Sequence, residues 1–430
     1  MERLMEIARR AAGKVVLFSR DEVLDRVSFE NGELKDIDST MQSGVSVILL
    51  KDGRIGSAYT RNLDDRERLV QDAVVSLRAG AEAGYDLPEP APLPNLSTYE
   101  TGAEKLISEQ LVAECRRVCD MLAGATTGQL NATALRSLTA TRVMNSRGLD
   151  VTARHSDYVS SASVLYPGSY ASVSRSVVDK SFVEFPAADL AAAADLYNRS
   201  QRAARPVSGR YKVLFLGETM FTLVWRLTMA TSGRAVYEKV SPLREKLGGQ
   251  VLSDKLSLRD LPLDDCRPGA RAFDDEGTPC ADSALFEAGV LRGFYCDRYY
   301  AWKLGVAPTG HGYRGDVTNR PYPALGHIVL DPGTKSLAEM VRQMDRGIIV
   351  AGCMGAHSGN LMQGEYSIGL SPGLYVENGE VVGGVKDAMV AGNVYETMRE
   401  VIAVEDRAHA TYGGWFPAVL FDNVSFVAQG

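Results

Sequence analysis

Three dipeptides do most to limit what this chain can become. Asn31-Gly32 separates VSFE from ELKDID, Asp52-Gly53 separates VSVILL from RIGSAYT, and Asn378-Gly379 lies inside LYVENGEVVG. Tight turns that match the twist of paired strands need residues tolerant of positive φ, so each dipeptide between strand-like runs predicts a β-hairpin. The phrase xNGEx recurs at 30–34 and 376–380. Its period is not sustained, so it marks two local hairpins and no solenoid.

Helical periodicity fills part of the remainder. Leu4, Met5, Ala8 and Ala12 share one side of a short helix over 2–12. Asn62 is the expected N-cap of a helix over about 63–80, with Leu69, Val70, Ala73, Val74 and Leu77 as its apolar stripe. Residues 86–97, DLPEPAPLPNLS, hold four prolines and read as an extended connector. A helix over about 102–123 carries Cys115 and Cys119 in line with Leu111 and Leu122, the pattern of core thiols. Residues 133–183 have strand composition, and an Ala-rich helix over about 186–204 stops before Pro206. YKVLFLG then leads into a helix at 218–231. In the second half, Gly277 and Gly289 punctuate further hairpins. Ser336 and Glu339 form a capping box, Leu337, Met340, Val341 and Met344 form the apolar face behind it, and Gly347 is the expected helix stop. The class is α+β: an N-terminal α/β domain over 1–205 and a C-terminal, mainly antiparallel β domain over 206–430.

Composition excludes several functions. A chain of 430 residues exceeds one ordinary core. A net charge of −7 argues against nucleic acid or an anionic membrane as partner. Six scattered cysteines without a CxxC pair suit reduced thiols in the cytoplasm. The N-terminus has charges every few residues and lacks the pattern of a signal peptide, and no apolar run reaches the ~20 residues of a membrane span.

Chemistry is harder to place. A zinc hydrolase needs imidazoles or thiolates on one ion and a carboxylate for the attacking water. The histidines are His155, His311, His327, His357 and His409, and no two sit three to five residues apart. Only convergence of His311, His327 and His357 through folding would give a metal site. The segment APTGHGYRGD (307–316) has glycines whose flanking amides suit a peptide carboxylate or a phosphate, or else forms only a long turn between strands; no GK[ST] follows it, so it is not a P-loop. The segment GCMGAHSGNLMQGEYSIG (352–369) holds five glycines, read as close backbone approach or successive turns. Ser358 beside His357 is not a triad, and no G-x-S-x-G elbow occurs. The acidic runs LDDC and FDDEG lack calcium-loop spacing and read as solvated turns.

Taken in order, RVSFENGELKDID, GVSVILLKDGRIGSAYTRNL, SGRAVYEKVSPLREKLGGQVLSD, FDDEGTP, LFEAGVLRGFYCDRYYAWKLGVAPTG and VAGNVYETMREV resemble the TldD/PmbA family. The likeness is to its PmbA, or TldE, branch, also labelled modulator of DNA gyrase. The resemblance implies a cytoplasmic metallopeptidase system acting on small unstructured peptides. Its TldD-type subunit carries HExxxH and a later Cys on zinc, and its PmbA-type subunit lacks them. Aligned on this chain, the two histidines fall on Met229 and Arg234 and the glutamate on Ala230. The tail TYGGWFPAVLFDNVSF has no thiol. The resemblance therefore implies a chain with no catalytic residues, no metal ligands and no cofactor of its own. The expected partner is a zinc-bearing TldD-type subunit, with a homodimer when that partner is absent. Candidate peptide-cavity residues are Arg234, Thr309, His311, Arg314 and His357. Two alternatives stand beside this reading: an active homo-oligomer with a metal site outside the family pattern, and a non-enzymatic peptide-binding adaptor.

Overall fold

The computed structural model describes residues 1–168, 171–411 and 413–428. Helix α1 (Glu2–Ala11) precedes three antiparallel strands, β1 (Lys14–Glu30), β2 (Glu33–Lys51) and β3 (Arg54–Thr60). The turns between them hold Asn31 and Gly32 at φ 57° and 76°, and Asp52 and Gly53 at 50° and 72°. After α2 (Arg66–Ser76), one turn of helix α3 (Thr101–Glu104) and α4 (Ser108–Ala123) come β4 (Gln129–Asn145), β5 (Asp150–Leu165), β6 (Ser172–Asp179) and α5 (Ala187–Ser200). The six strands form one antiparallel sheet in the order β3-β2-β1-β4-β5-β6.

Alternation along β1 explains how this sheet is used. Side chains point to opposite faces at each step. Val15, Leu17, Val27 and Phe29 pack under helices: the first two with Leu4, Met5, Leu69 and Val70, the last two with Leu111, Cys115 and Val118. Val16 and Phe18 point the other way, into a cluster that includes Phe273 and Val317 of the second half. The C-terminal half thus serves as the cover for the second face.

Strand β7 (Gly209–Phe215) opens that half and runs into α6 (Gly217–Thr231) and α7 (Gly233–Tyr237). It lies inside a nine-stranded sheet, between the parallel strand Arg346–Val350 and the antiparallel strand Val419–Ala428. Most of the other pairings are antiparallel, so the overall class is α+β. A smaller sheet ends in the hairpin of His409–Thr411 and Gly414–Phe416. No helix among the described residues is long and apolar enough to cross a membrane.

Several local expectations change. Asp65, not Asn62, caps α2, accepting from the Arg68 amide at 2.8 Å. The helix expected over 102–123 is split, because the chain turns extended at Ile107 before α4. The capping box at Ser336 and Glu339 forms, but the helix spans Leu337–Arg342 and Gly347 lies in a strand. There a Cβ would meet the end of the Met344 side chain and come within 3.0 Å of the Lys212 carbonyl, so a larger residue would have to displace that methionine.

Candidate functional site

Helix α6 is buried on nearly every side, with Trp225 as its exposed residue at 39%. Glu218 in its first turn pairs with Arg175 of β6 at 3.0 Å, where a carboxylate suits the helix dipole. The helix ends at Ser232, whose backbone turns extended (ψ 132°). Gly233 restarts it as α7, its amide donating to the Tyr295 carbonyl at 2.8 Å. A Cβ on Gly233 would overlap Cys296 Sγ, so the break is packed tightly.

Met229 and Ala230 therefore stand on one helix and Arg234 on another. Met229 is half-buried, Ala230 is fully buried, and the exposed Arg234 pairs with Glu238 at 2.9 Å. Gly413 and Phe416 of the tail share a cleft of about 290 Å³ with Phe221, Val224, Trp225, Thr228 and Ile328, and Phe416 belongs to the same buried cluster as Ala230. Of the α6 residues in this cleft, Thr228 directly precedes Met229 and Phe221 lies about two turns before it. Among the described residues the lining offers no imidazole, thiolate or carboxylate, so these residues do not fit a catalytic zinc.

A second cleft, of about 350 Å³, adjoins the first through Ile328 and Gly413. Val178 of β6, the last strand of the N-terminal sheet, forms one wall. Ala410, Thr411, Gly414 and Trp415 of the terminal hairpin form another. Two sheet edges thus flank one slot. His327 lies along it, 4% exposed, with neither ring nitrogen hydrogen-bonded, and burial pushes its pKa down. Arg267 stacks over the Trp415 ring at 4.7 Å.

The other candidate residues have different duties. His311 is 2% exposed, with Nε2 3.1 Å from Asp260 Oδ2 and Nδ1 2.8 Å from Thr309 Oγ1. Thr309 in turn donates to the Cys296 carbonyl. The other oxygen of Asp260 accepts the amide of His327 at 2.6 Å. Arg314 is buried and spans the two sheets. It donates to Ser46 Oγ of β2 at 2.7 Å, covers the Phe18 ring at 4.4 Å, and its amide reaches Asp275 at 2.8 Å. His357 sits on an exposed turn. Among the described residues no group of three or more His, Cys, Asp or Glu is placed to hold a metal ion, so His311, His327 and His357 do not form the alternative metal site.

FDDEGTP is not a solvated turn. Asp274, Asp275 and Glu276 are 1%, 6% and 7% exposed. Asp274 accepts the amides of Glu276, Thr278 and Gly312, which organises the glycine-rich segment around it. Glu276 accepts the Arg298 amide, and Asp297 caps the helix Arg298–Leu304. Burial raises the pKa of both carboxyls, and Asp297 raises that of Glu276 further. With Arg234, Arg320, Tyr85 and Tyr300 they line a third cleft of about 290 Å³ between the halves. Arg234 thus lines a cleft, while His311 and Arg314 are interior ties.

One residue escaped the sequence reading. Arg226 of α6 is fully buried and forms no ion pair among the described residues. Its guanidinium donates to the carbonyls of Glu365 (2.8 Å), Ala356 (3.0 Å), Ser358 (2.8 Å) and Thr222. It pins the glycine-rich loop that carries His357. The signal was visible as a lone charge in TMFTLVWRLTMAT. Gly355, Gly359 and Gly364 of that loop adopt φ 69°, 90° and 82°, so here the glycines serve successive turns.

Comparison with known proteins agrees with this architecture. The chain superposes on TldE from Thermococcus kodakarensis with a TM-score of 0.91 at 21% identity, each chain covered in full, which establishes the fold. It is 23% identical to protein MJ0231 of Methanocaldococcus jannaschii over 94% of this chain and 95% of that one. It is 33% identical to the metalloprotease PmbA homolog of Haemophilus influenzae over 194 residues, covering 45% of this chain and 41% of that protein. Residues 16–77 match the PmbA/TldA metallopeptidase domain 1, and residues 208–428 match the PmbA/TldA metallopeptidase C-terminal domain. The chain belongs to the PmbA/TldD metallopeptidase family.

Proposed function

We propose that this chain is the zinc-free, PmbA/TldE-type subunit of a cytoplasmic peptidase whose TldD-type partner carries the metal. The supporting observation is that the aligned ligand positions carry no zinc ligand: Met229 is half-buried, Ala230 is buried and Arg234 pairs with Glu238, in a chain that belongs to a metallopeptidase family. The slot between β6 and the terminal hairpin suits an extended peptide, since strand addition draws on backbone groups and tolerates varied side chains. The subunit would present unstructured peptides to the partner and complete its cavity.

The test mixes purified chain with its TldD-type counterpart and an unfolded peptide, with Trp225→Glu as the cleft variant. The expected result is zinc-dependent cleavage that needs both chains and falls at least tenfold with Trp225→Glu. Cleavage by the TldD-type chain that is unchanged by adding this one refutes the reading. Peptide binding by this chain without any such partner supports the adaptor alternative instead.

A further inference from the structure

The third cleft, between the halves, is graded from floor to mouth. At the floor lie Tyr85, Glu276 and Asp297, exposed at 7%, 7% and 2%. At the mouth lie Arg234, Arg320 and Tyr322, all exposed. Tyr85 comes from the N-terminal half. Its ring packs in the cluster that holds Phe18 and Phe273, so its hydroxyl is held in place.

Three polar groups at the floor lack partners. The Tyr85 hydroxyl makes no hydrogen bond among the described residues, although a buried tyrosine normally finds one. Glu276 uses one oxygen, for the Arg298 amide at 2.8 Å, and Asp297 uses one, for the Tyr300 amide at 2.7 Å. Among the described residues the second oxygen of each meets no donor, and neither carboxyl has an ion pair. The nearest guanidiniums are engaged elsewhere. Arg298 donates to the Asp86 carbonyl and Thr278, and Arg314 to Ser46 and the Asn319 and Asp275 carbonyls. Burial raises the pKa of the Tyr85 hydroxyl, and the charges of Glu276 and Asp297 raise it further, so the three groups share one field. Buried carboxylates call for a cation, or else stay protonated.

The rest of the lining narrows the class of ligand. Tyr299 and Tyr300, edge to face at 5.1 Å, offer aromatic surface beside Ile55 and Pro321. Arg320 has no ion pair among the described residues, whereas Arg234 is engaged with Glu238. A bare amine would satisfy the floor and leave the mouth facing a cation. A simple anion would satisfy the mouth and meet carboxyls below. The volume of about 290 Å³ is at the lower end for small-ligand sites.

We propose that this cleft binds lysine, free or at the C-terminus of a peptide, with its ammonium at the floor, its methylene stem along the tyrosine rings and its carboxylate on Arg320. An ammonium has three donors for the three open acceptors, Glu276, Asp297 and the Tyr85 hydroxyl. Tyrosine faces favour a cation, and a guanidinium favours a carboxylate.

The experiment titrates L-lysine into the full chain in a calorimeter, and saturable binding is expected. Acetylation of the side-chain amine should weaken binding by about tenfold or more, since the cation is lost. Tyr85→Phe removes one oxygen from a packed ring and should weaken L-lysine by about tenfold. Arg320→Ala changes an exposed residue that folding does not need. It should weaken L-lysine by a similar factor and leave cadaverine, which has no carboxylate, unaffected. A peptide ending in lysine and its C-terminal amide separate the two sources. Binding of the acid form assigns the site to peptide ends, and binding of free lysine alone assigns it to the amino acid; both support the site. No saturation with lysine or the peptide overturns the proposal, as does equal binding of acetyl-lysine or an affinity unchanged in either variant. The floor carboxyls would then simply be kept protonated. Peptide cleavage in the mixed assay is read separately, so failure of either idea leaves the other standing.

Discussion

Replacing Arg226 with Met keeps much of the side-chain volume and removes every donor. Three loop carbonyls, those of Ala356, Ser358 and Glu365, then lose their partner, whereas Thr222 keeps its place in the helix ladder. Hydrogen bonds to a charged group contribute about 1.5–3 kcal/mol each, giving a gross loss of roughly 4–9 kcal/mol. Two effects offset it. The guanidinium no longer has to be buried, which returns several kcal/mol, and the freed carbonyls lie in a partly exposed loop that water reaches. The net expectation is about 3 kcal/mol, concentrated in the loop. Two-state unfolding is a poor readout for a chain of 430 residues, so the assay is amide exchange at Ser358 and Glu365. Both amides bond within the loop, to Gly355 and Asn360 carbonyls. About 3 kcal/mol of easier local opening raises their exchange roughly a hundredfold. Arg226→Lys, with one ammonium in place of a fork, should recover little of this. Exchange within threefold of wild type in Arg226→Met would show that the loop holds itself and that the reasoning is wrong.

Two further expectations follow from the same neighbourhood. Gly233→Ala forces a Cβ onto Cys296 Sγ at the α6–α7 break; overpacking of this kind costs about 1–3 kcal/mol, read as a lower melting temperature, and an unchanged melting temperature would mean the break relaxes freely. Glu276 is held protonated in the fold to a pKa of about 8 by burial and by Asp297, against 4.5 for the free side chain. The folded state therefore binds more protons than the unfolded one between those values, and stability falls as pH rises through that window. Glu276→Gln should flatten the decline between pH 5 and 8 in urea melts, and a parallel decline in wild type and variant would refute the assignment.

The hairpins were legible because Asn31, Asp52 and Asn378 sit at positive φ in turns that few residues tolerate. The helix faces were legible because Leu4, Met5 and Ala8, or Leu111, Cys115 and Cys119, repeat with the helical period and are buried together. Reading failed where long-range partners decide. Nothing near FDDEG announces that the amides of Gly312 and Arg314 will bury its carboxylates. Nothing near His311 announces Asp260, 51 positions away. The same limit governs the α6 cleft, whose tail residues arrive from nearly two hundred positions downstream to meet Phe221 and Trp225.

The position of β7 has a kinetic consequence. It emerges early in the second half, yet its two neighbours are Arg346–Val350 and Val419–Ala428, the latter beginning 204 residues after Phe215 (419 minus 215). Pairing at such separations carries a heavy closure entropy and makes assembly slow. The first sheet is delayed less: its hairpins close locally, and its one long-range pairing, β1 with β4, joins Glu30 to Asn131 and Val16 to Asn145. During synthesis the N-terminal layer would be complete while β7 and the apolar α6 still await strands that have not left the ribosome. That interval is when this polypeptide most needs a chaperone.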